Sequence, residues 1–237
     1  MNKDKIYSQP LSKVTPFTFN KEVAEVFDDM VNRSIPFYKE LQELIAQLAL
    51  AYVQPESSIY DLGCSTGETM LQISRKSSTP LSIIGLDSSE QMITKAKKKC
   101  QKYPHLLFNK ADITDFEFQP SSVFILTYVM QFIAPEKRLS FLKTIYSHLL
   151  PKGVLIISEK IKFPNINEDI VGFYEQFKAK NYYSELEIKQ KREALENVLI
   201  SYTLPENIEL LKQAGFSIVQ PVFQYLNFCC LLAIKND

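Results

Sequence analysis

The chain has 237 residues, 46% of them hydrophobic, and balances 27 lysines and arginines against 27 aspartates and glutamates. That length and apolar fraction suit one α/β unit with a genuine core, and the cancelled charge removes the electrostatic pull of a polynucleotide-binding protein. Two histidines are too few for a histidine-rich metal centre, no apolar run nears the roughly 20 residues of a membrane span, and the first residues lack the apolar core of a secretory signal.

These features predict a cytoplasmic protein with no metal, no membrane association and no direct nucleic-acid contact. Cys64, Cys100, Cys229 and Cys230 form no CxxC pair and are expected as reduced, buried thiols. Lys95, Lys97, Lys98, Lys99 and Lys102 fall on one predicted helix, where a solvated face is the ordinary outcome.

Residues 1–19 have little periodicity and are expected to form an extended arm. Asn20 caps a helix whose apolar positions are Val23, Val26, Phe27 and Met30. A second helix follows Pro36, with Phe37, Leu41, Leu44, Ile45 and Leu48 on one face, and the pair could lie over the ligand edge of a sheet. From Ser58 the pattern alternates. Strands are predicted at 58–62, 81–87, near 106–109, at 122–128 and at 153–158. A helix follows Gly67, another ends near Tyr103 with Ser88 and Gln91 as its capping box, and a third covers 135–150.

Residues 165–201 then hold two helical segments, 168–180 and 184–200, the second opened by a Ser184–Glu187 capping box. A helix over 205–214 stops at Gly215. The last two strands, 217–225 and 227–234, are too close for a crossover helix and so must be antiparallel. Parallel strands closed by an antiparallel hairpin resemble the order of S-adenosylmethionine-dependent methyltransferases. The expected fold is therefore α/β and Rossmann-like, a single methyltransferase-like domain over 1–237. Within it, 1–55 form the N-terminal arm and helices, and 165–201 form a helical insertion expected to act as dimer contact and active-site lid.

The most informative stretch is Ile59-Tyr60-Asp61-Leu62-Gly63-Cys64-Ser65-Thr66-Gly67, an apolar strand running into a turn bracketed by two glycines. Such a turn lets backbone approach a ligand without a Cβ clash. Ile83-Ile84-Gly85-Leu86-Asp87 repeats the plan, and its carboxylate is placed to accept from two ribose hydroxyls. Ligands in such sheets sit at the carboxyl ends of the strands. Gly63, Cys64 and Ser65 would surround the amino-acid end of a nucleoside ligand, Asp87 the ribose, and Asp112 with Ile113 the adenine. Thr127 would reach the methionyl carboxylate or the sulfonium. Taken singly, Asp61 and Asp112 read equally well as carboxylates that satisfy loop amides, Cys64 as a packing residue and Thr127 as a strand former. Tyr183-Ser184-Glu185-Leu186-Glu187-Ile188 with Lys191-Arg192 reads from spacing alone as a charged surface helix.

Several blocks carry a further likeness: Val23-Ala24-Glu25-Val26-Phe27, Asn32-Arg33-Ser34-Ile35-Pro36, Tyr60-Asp61-Leu62-Gly63-Cys64-Ser65, Ser158-Glu159-Lys160, Tyr183-Ser184-Glu185-Leu186-Glu187-Ile188, Lys191-Arg192 and Leu195-Glu196-Asn197-Val198. In these the chain resembles the carboxy-S-adenosyl-L-methionine synthases. The resemblance implies conversion of S-adenosylmethionine and prephenate to carboxy-S-adenosylmethionine and phenylpyruvate. The product would pass to a separate tRNA-modifying enzyme that builds 5-carboxymethoxyuridine at the wobble position.

It also implies a homodimer and ligand contacts at Tyr38, Gly63, Cys64, Ser65, Asp87, Ser88, Asp112, Ile113, Thr127 and Arg192. Tyr38 and Arg192 are the implied catalytic pair, and the helix of Arg192 reaches the partner's ligand. A guanidinium suits the new carboxylate. The chain departs from the family's asparagines at Ser88 and Thr127 and from its glycine at Tyr182. Two alternatives follow: an ordinary small-molecule methyltransferase, and a non-catalytic nucleoside-binding partner of a tRNA-modifying enzyme.

Overall fold

The computed structural model describes residues 2–236. Its elements run α1 (Lys21–Ser34), α2 (Tyr38–Tyr52), β1 (Ile59–Leu62), α3 (Glu68–Lys76), β2 (Ile83–Asp87), α4 (Glu90–Lys99), β3 (Leu106–Lys110), β4 (Ser121–Thr127), α5 (Pro135–His148), β5 (Leu149–Lys160), α6 (Asn167–Lys180), α7 (Glu185–Leu195), α8 (Leu204–Ala214), β6 (Ile218–Tyr225) and β7 (Phe228–Ile234). The strands form one sheet in the order β3-β2-β1-β4-β5-β7-β6. The first five are parallel, while β7 runs antiparallel to both β5 and β6. The expected α/β fold with its terminal hairpin is therefore the observed one.

The order reverses between β1 and β4, which places a crevice at their carboxyl ends. Both strands are buried on two faces, as parallel sheets require. Alternation divides the core accordingly. Ile59, Val123, Ile125, Val154 and Ile156 pack with Leu41 and Ile45 of α2 on one side. Tyr60, Leu62, Phe124, Leu126 and Leu155 pack with Phe141 and Ile145 of α5 on the other.

The 2–19 segment is largely irregular but firmly docked. Tyr7 and Phe17 are buried with Val23 and Met30 of α1 and Ala194 of α7. Gln190 of α7 donates to the carbonyls of Tyr7 and Gln9, each at 2.9 Å, and accepts from the Leu11 amide at 2.8 Å. Asn20 caps α1 by accepting from the Val23 amide at 3.0 Å.

Several boundaries move. The cap of α4 is Ser89, not Ser88: its hydroxyl accepts from the Met92 amide at 3.3 Å, because Asp87 already holds the Ser89 amide at 2.9 Å and fixes the turn one residue later. The following helix ends at Lys99 rather than near Tyr103. Strand β5 starts at Leu149, four residues before the expected position, and pairs with Ser121 there. Helix α7 stops at Leu195, not Ile200, since Asn197 turns to positive φ and the Ile200 amide bonds to the Gln131 carbonyl at 2.9 Å. The lysine face of α4 is only partly solvated. Lys95 donates to the carbonyls of Ala24 and Glu25, and Lys99 pairs with Asp28. All four cysteines are free and buried. Among the described residues, no helix is long and apolar enough to cross a membrane.

Candidate active site

A cavity of about 460 Å³ opens at the carboxyl ends of β1, β2, β4 and β5, roofed by the arm, α1 and the start of α2. Gly63 leaves β1 at φ +77°, and a Cβ there would collide with the Val129 side chain. Its amide and that of Cys64 both donate to the Leu86 carbonyl, at 2.7 and 2.9 Å, which ties the turn to β2. The Gly67 amide closes the turn onto the Cys64 carbonyl at 2.8 Å.

Asp87 stands at the end of β2, accepting from the Ser65 amide at 2.9 Å through one oxygen and the Ser89 amide at 2.9 Å through the other. Burial raises its pKa, and the two amides pull it part of the way back. Its carboxylate is thus oriented before any ligand arrives, with lone pairs left for two hydroxyls. Asp112 does both things the sequence allowed. It caps the turn after β3 by accepting from the Thr114 amide and hydroxyl at 2.9 and 2.8 Å, which lowers its pKa, and with Ile113 it lines the cavity. Asp61 lies outside the cavity lining. Its Oδ2 is buried without a partner, so loop amides do not account for it.

Of the ten expected ligand residues, nine line this one cavity: Tyr38, Gly63, Cys64, Ser65, Asp87, Ser88, Asp112, Ile113 and Thr127. The tenth, Arg192, does not. It projects from α7 into solvent and bonds Glu175 Oε1 at 2.7 Å. One residue earlier on the same helix, Lys191 turns inward to the cavity, because successive helical residues are set about 100° apart. Cys64 is held as a thiol by burial and nearby carboxylates, and its side chain sits close beside Gly85. Burial and the Glu68, Asp28 and Asp61 carboxylates raise the Tyr38 phenol, so it is a donor rather than a base.

The fit to a nucleoside–amino-acid ligand can be tested on atoms left unmatched. Thr127 Oγ1 and Tyr128 Oη are buried without a hydrogen-bond partner, and both residues line the cavity. Buried polar groups in native proteins are normally paired, so these await a polar ligand. Tyr128 is held at φ 61°, a strained position for a bulky residue directly after β4. Among the described residues, no cluster of three or more histidine, cysteine or acidic side chains is arranged to hold a metal ion.

Sequence reasoning missed part of the lining. Phe19 packs edge-on against Phe17 and Phe132, with centroids 5.2 and 5.3 Å away, and closes the roof. Lys160, Tyr174 and Lys191 form a basic, aromatic wall. The one local signal for that wall was Glu159-Lys160, a charged pair ending an otherwise apolar strand.

Sheet order, glycine turn and β2 carboxylate define the class: a transferase of the methyltransferase fold that binds S-adenosylmethionine. A model of the methyltransferase domain matches residues 59–153. The chain is 43% identical to the carboxy-S-adenosyl-L-methionine synthase of a Nitratiruptor species, covering 100% of this chain and 99% of that one. It is 44% identical to the synthase of Desulfotalea psychrophila, over 98% of this chain and 97% of the other. The chain belongs to the carboxy-S-adenosyl-L-methionine synthase family.

Solved structures agree on the fold. Human N-acetylserotonin methyltransferase in complex with SAM superposes with TM-score 0.65 at 17% identity, covering 92% of this chain and 56% of that one. An O-methyltransferase family protein from Burkholderia thailandensis gives 0.67 at 15%, over 92% and 61%. The chain thus spans less than two thirds of these structural neighbours.

Proposed function

We propose that this synthase takes prephenate as the carboxyl source, converting it with S-adenosylmethionine to carboxy-S-adenosylmethionine, phenylpyruvate and water. We assign it to the cytoplasm as a homodimer whose product a separate enzyme consumes in modifying the tRNA wobble uridine. In this reaction the ring carbon–carboxyl bond of prephenate breaks and its electron pair aromatises the ring. The ring hydroxyl leaves and takes up a proton from the sulfonium methyl as water. The methyl carbon then forms its new bond to the released carbon dioxide, which the roofed cavity retains.

One observation carries this reading: the phenols, thiol and carboxylates lining the cavity are held protonated or already bonded, and its lysines Lys160 and Lys191, brought down only to about 8, stay cationic at neutral pH. Its tyrosines Tyr38, Tyr128 and Tyr174 and the Cys64 thiol are all held protonated. Glu68 is paired with Lys99, Asp87 is bonded to loop amides, and Asp112 accepts from Thr114. A co-substrate that supplies its own proton acceptor meets that constraint. Asp87, Asp112 and Ile113 would hold the nucleoside, Gln42 and Thr127 the amino-acid end, and Arg192 of a partner subunit the new carboxylate.

Mass spectrometry of a reaction with both substrates should show a nucleoside heavier than S-adenosylmethionine by one carbon dioxide. Arg192→Met should retain S-adenosylmethionine binding and lose that product. Accumulation of S-adenosylhomocysteine alone in the wild-type reaction would replace this reading with ordinary methyl transfer.

A further inference from the structure

One wall of the cavity has an excess of positive charge. Lys160 ends β5, Lys178 lies on α6 and Lys191 on α7, and all three surround aromatic rings rather than water. The Lys160 and Lys178 ammoniums lie 4.7 and 4.5 Å from the centroid of the Tyr174 ring. Lys191 lies 5.8 Å from that of Tyr183. Lys160, Tyr174 and Lys191 line the cavity, and Lys178, only 6% exposed, stands behind Tyr174.

Few acids nearby are left to balance it. Glu175, whose charge acts on Lys160 and Lys178, is bonded to Arg192 at 2.7 Å. Asp29 pairs with Arg33 at 3.1 Å. Asp4 is shared between the Tyr183 hydroxyl, accepted at 2.7 Å, and Lys191, paired at 3.9 Å, whose ammonium also donates to Ser34 Oγ at 3.4 Å. Among the described residues, neither Lys160 nor Lys178 has an ion pair or a side-chain hydrogen bond at its ammonium.

We propose that Lys160 and Lys191, backed by Lys178 behind Tyr174, form the binding site for a carboxylate of the dianionic co-substrate. The proposal rests on the synthase reading above and adds where the second substrate docks. Several cations crowded out of water destabilise a fold unless an anion joins them. The crowding is already visible: burial and mutual repulsion bring Lys178 down to about 7, and burial brings Lys160 and Lys191 to about 8. A flat aromatic flanked by ammoniums also suits a small cyclic acid, which offers an apolar face and charged edges. Gln42 in the same cavity supplies a further neutral contact.

The test is calorimetric titration of prephenate into the protein saturated with S-adenosylhomocysteine, which has no methyl group to react. Lys160→Gln should weaken prephenate binding by about tenfold or more, the usual loss for a charged hydrogen bond. Its affinity for S-adenosylhomocysteine should stay within about twofold, because that ligand meets other walls. Lys178→Gln serves as the second variant, with a smaller loss, and Lys160→Arg should restore much of the binding. Ligand-free Lys178→Gln should melt at or above the wild-type temperature, whereas a lysine with a structural role would lower it. Unchanged prephenate affinity in Lys160→Gln, or no prephenate binding to the wild type, overturns the proposal. If the wild type binds prephenate through Lys160 yet makes no carboxylated product, the anion site stands and the synthase reading falls.

Discussion

Asp61 shows what a single buried carboxyl does to this protein. Burial and the neighbouring Asp87 charge lift its pKa from 3.8 to about 7. A folded value above the unfolded one means that the native state binds the extra proton. Its stabilising contribution is therefore complete below about pH 4 and declines as pH rises to about 7, after which it is flat. Asp61→Asn keeps the shape without the charge. Ligand-free Asp61→Asn should gain stability relative to wild type between pH 4 and 7, by roughly 2–4 kcal/mol. Melting curves across that range check it, and parallel curves for the two proteins would show that Asp61 is not the titrating group. At Thr127 the resemblance leads one to expect asparagine, and the chain has a hydroxyl. Oγ1 is buried without a partner, so the smaller donor is present and free for a ligand. Cys64 lines the cavity and is kept a thiol by burial and nearby carboxylates.

Among the elements, α7 binds the most parts together. Its first turn has a complete capping box: Ser184 accepts from the Glu187 amide at 3.3 Å, and Glu187 accepts from the Ser184 amide at 2.7 Å. Farther along, Gln190 grips the N-terminal arm, Lys191 faces the cavity, and Arg192 faces solvent. Ser184→Ala should lower the unfolding free energy by about 1 kcal/mol, measurable by urea denaturation. A loss far above that figure would mean that the cap also holds the arm in place. The capping box was legible because both partners are local, three residues apart. The docking of the arm was not, because Gln190 and Tyr7 meet across 183 positions of chain and nothing in either segment marks the other. A similar limit explains the Ser88 and Ser89 exchange, where the Asp87 side chain rather than helix propensity chose the cap.

At the level of the whole molecule, the single chain leaves its site without the guanidinium that the proposed chemistry requires. Nine expected residues gather in one cavity while Arg192 is held outside by Glu175. A twofold assembly resolves this if each subunit lends α7 to the other. Mixing Arg192→Met with Asp87→Ala subunits, each inactive alone, should then recover about a quarter of wild-type activity, since half the dimers are mixed and each carries one intact site. Activity assays after co-refolding read this out directly. No recovery in a verified mixed dimer would place Arg192 in its own subunit's chemistry.

Sequence by itself determined the α/β class, the antiparallel ending and the nucleoside half of the cleft, because strand periodicity, glycine turns and strand-end carboxylates are local patterns. Only the tertiary structure decided that lysines from β5 and α6 converge on Tyr174, that the arm roofs the cavity, and that Lys191 rather than Arg192 faces inward. The physical reason is burial. Charge and hydrophobicity are written residue by residue, but which charges lose their water depends on segments far apart in the chain.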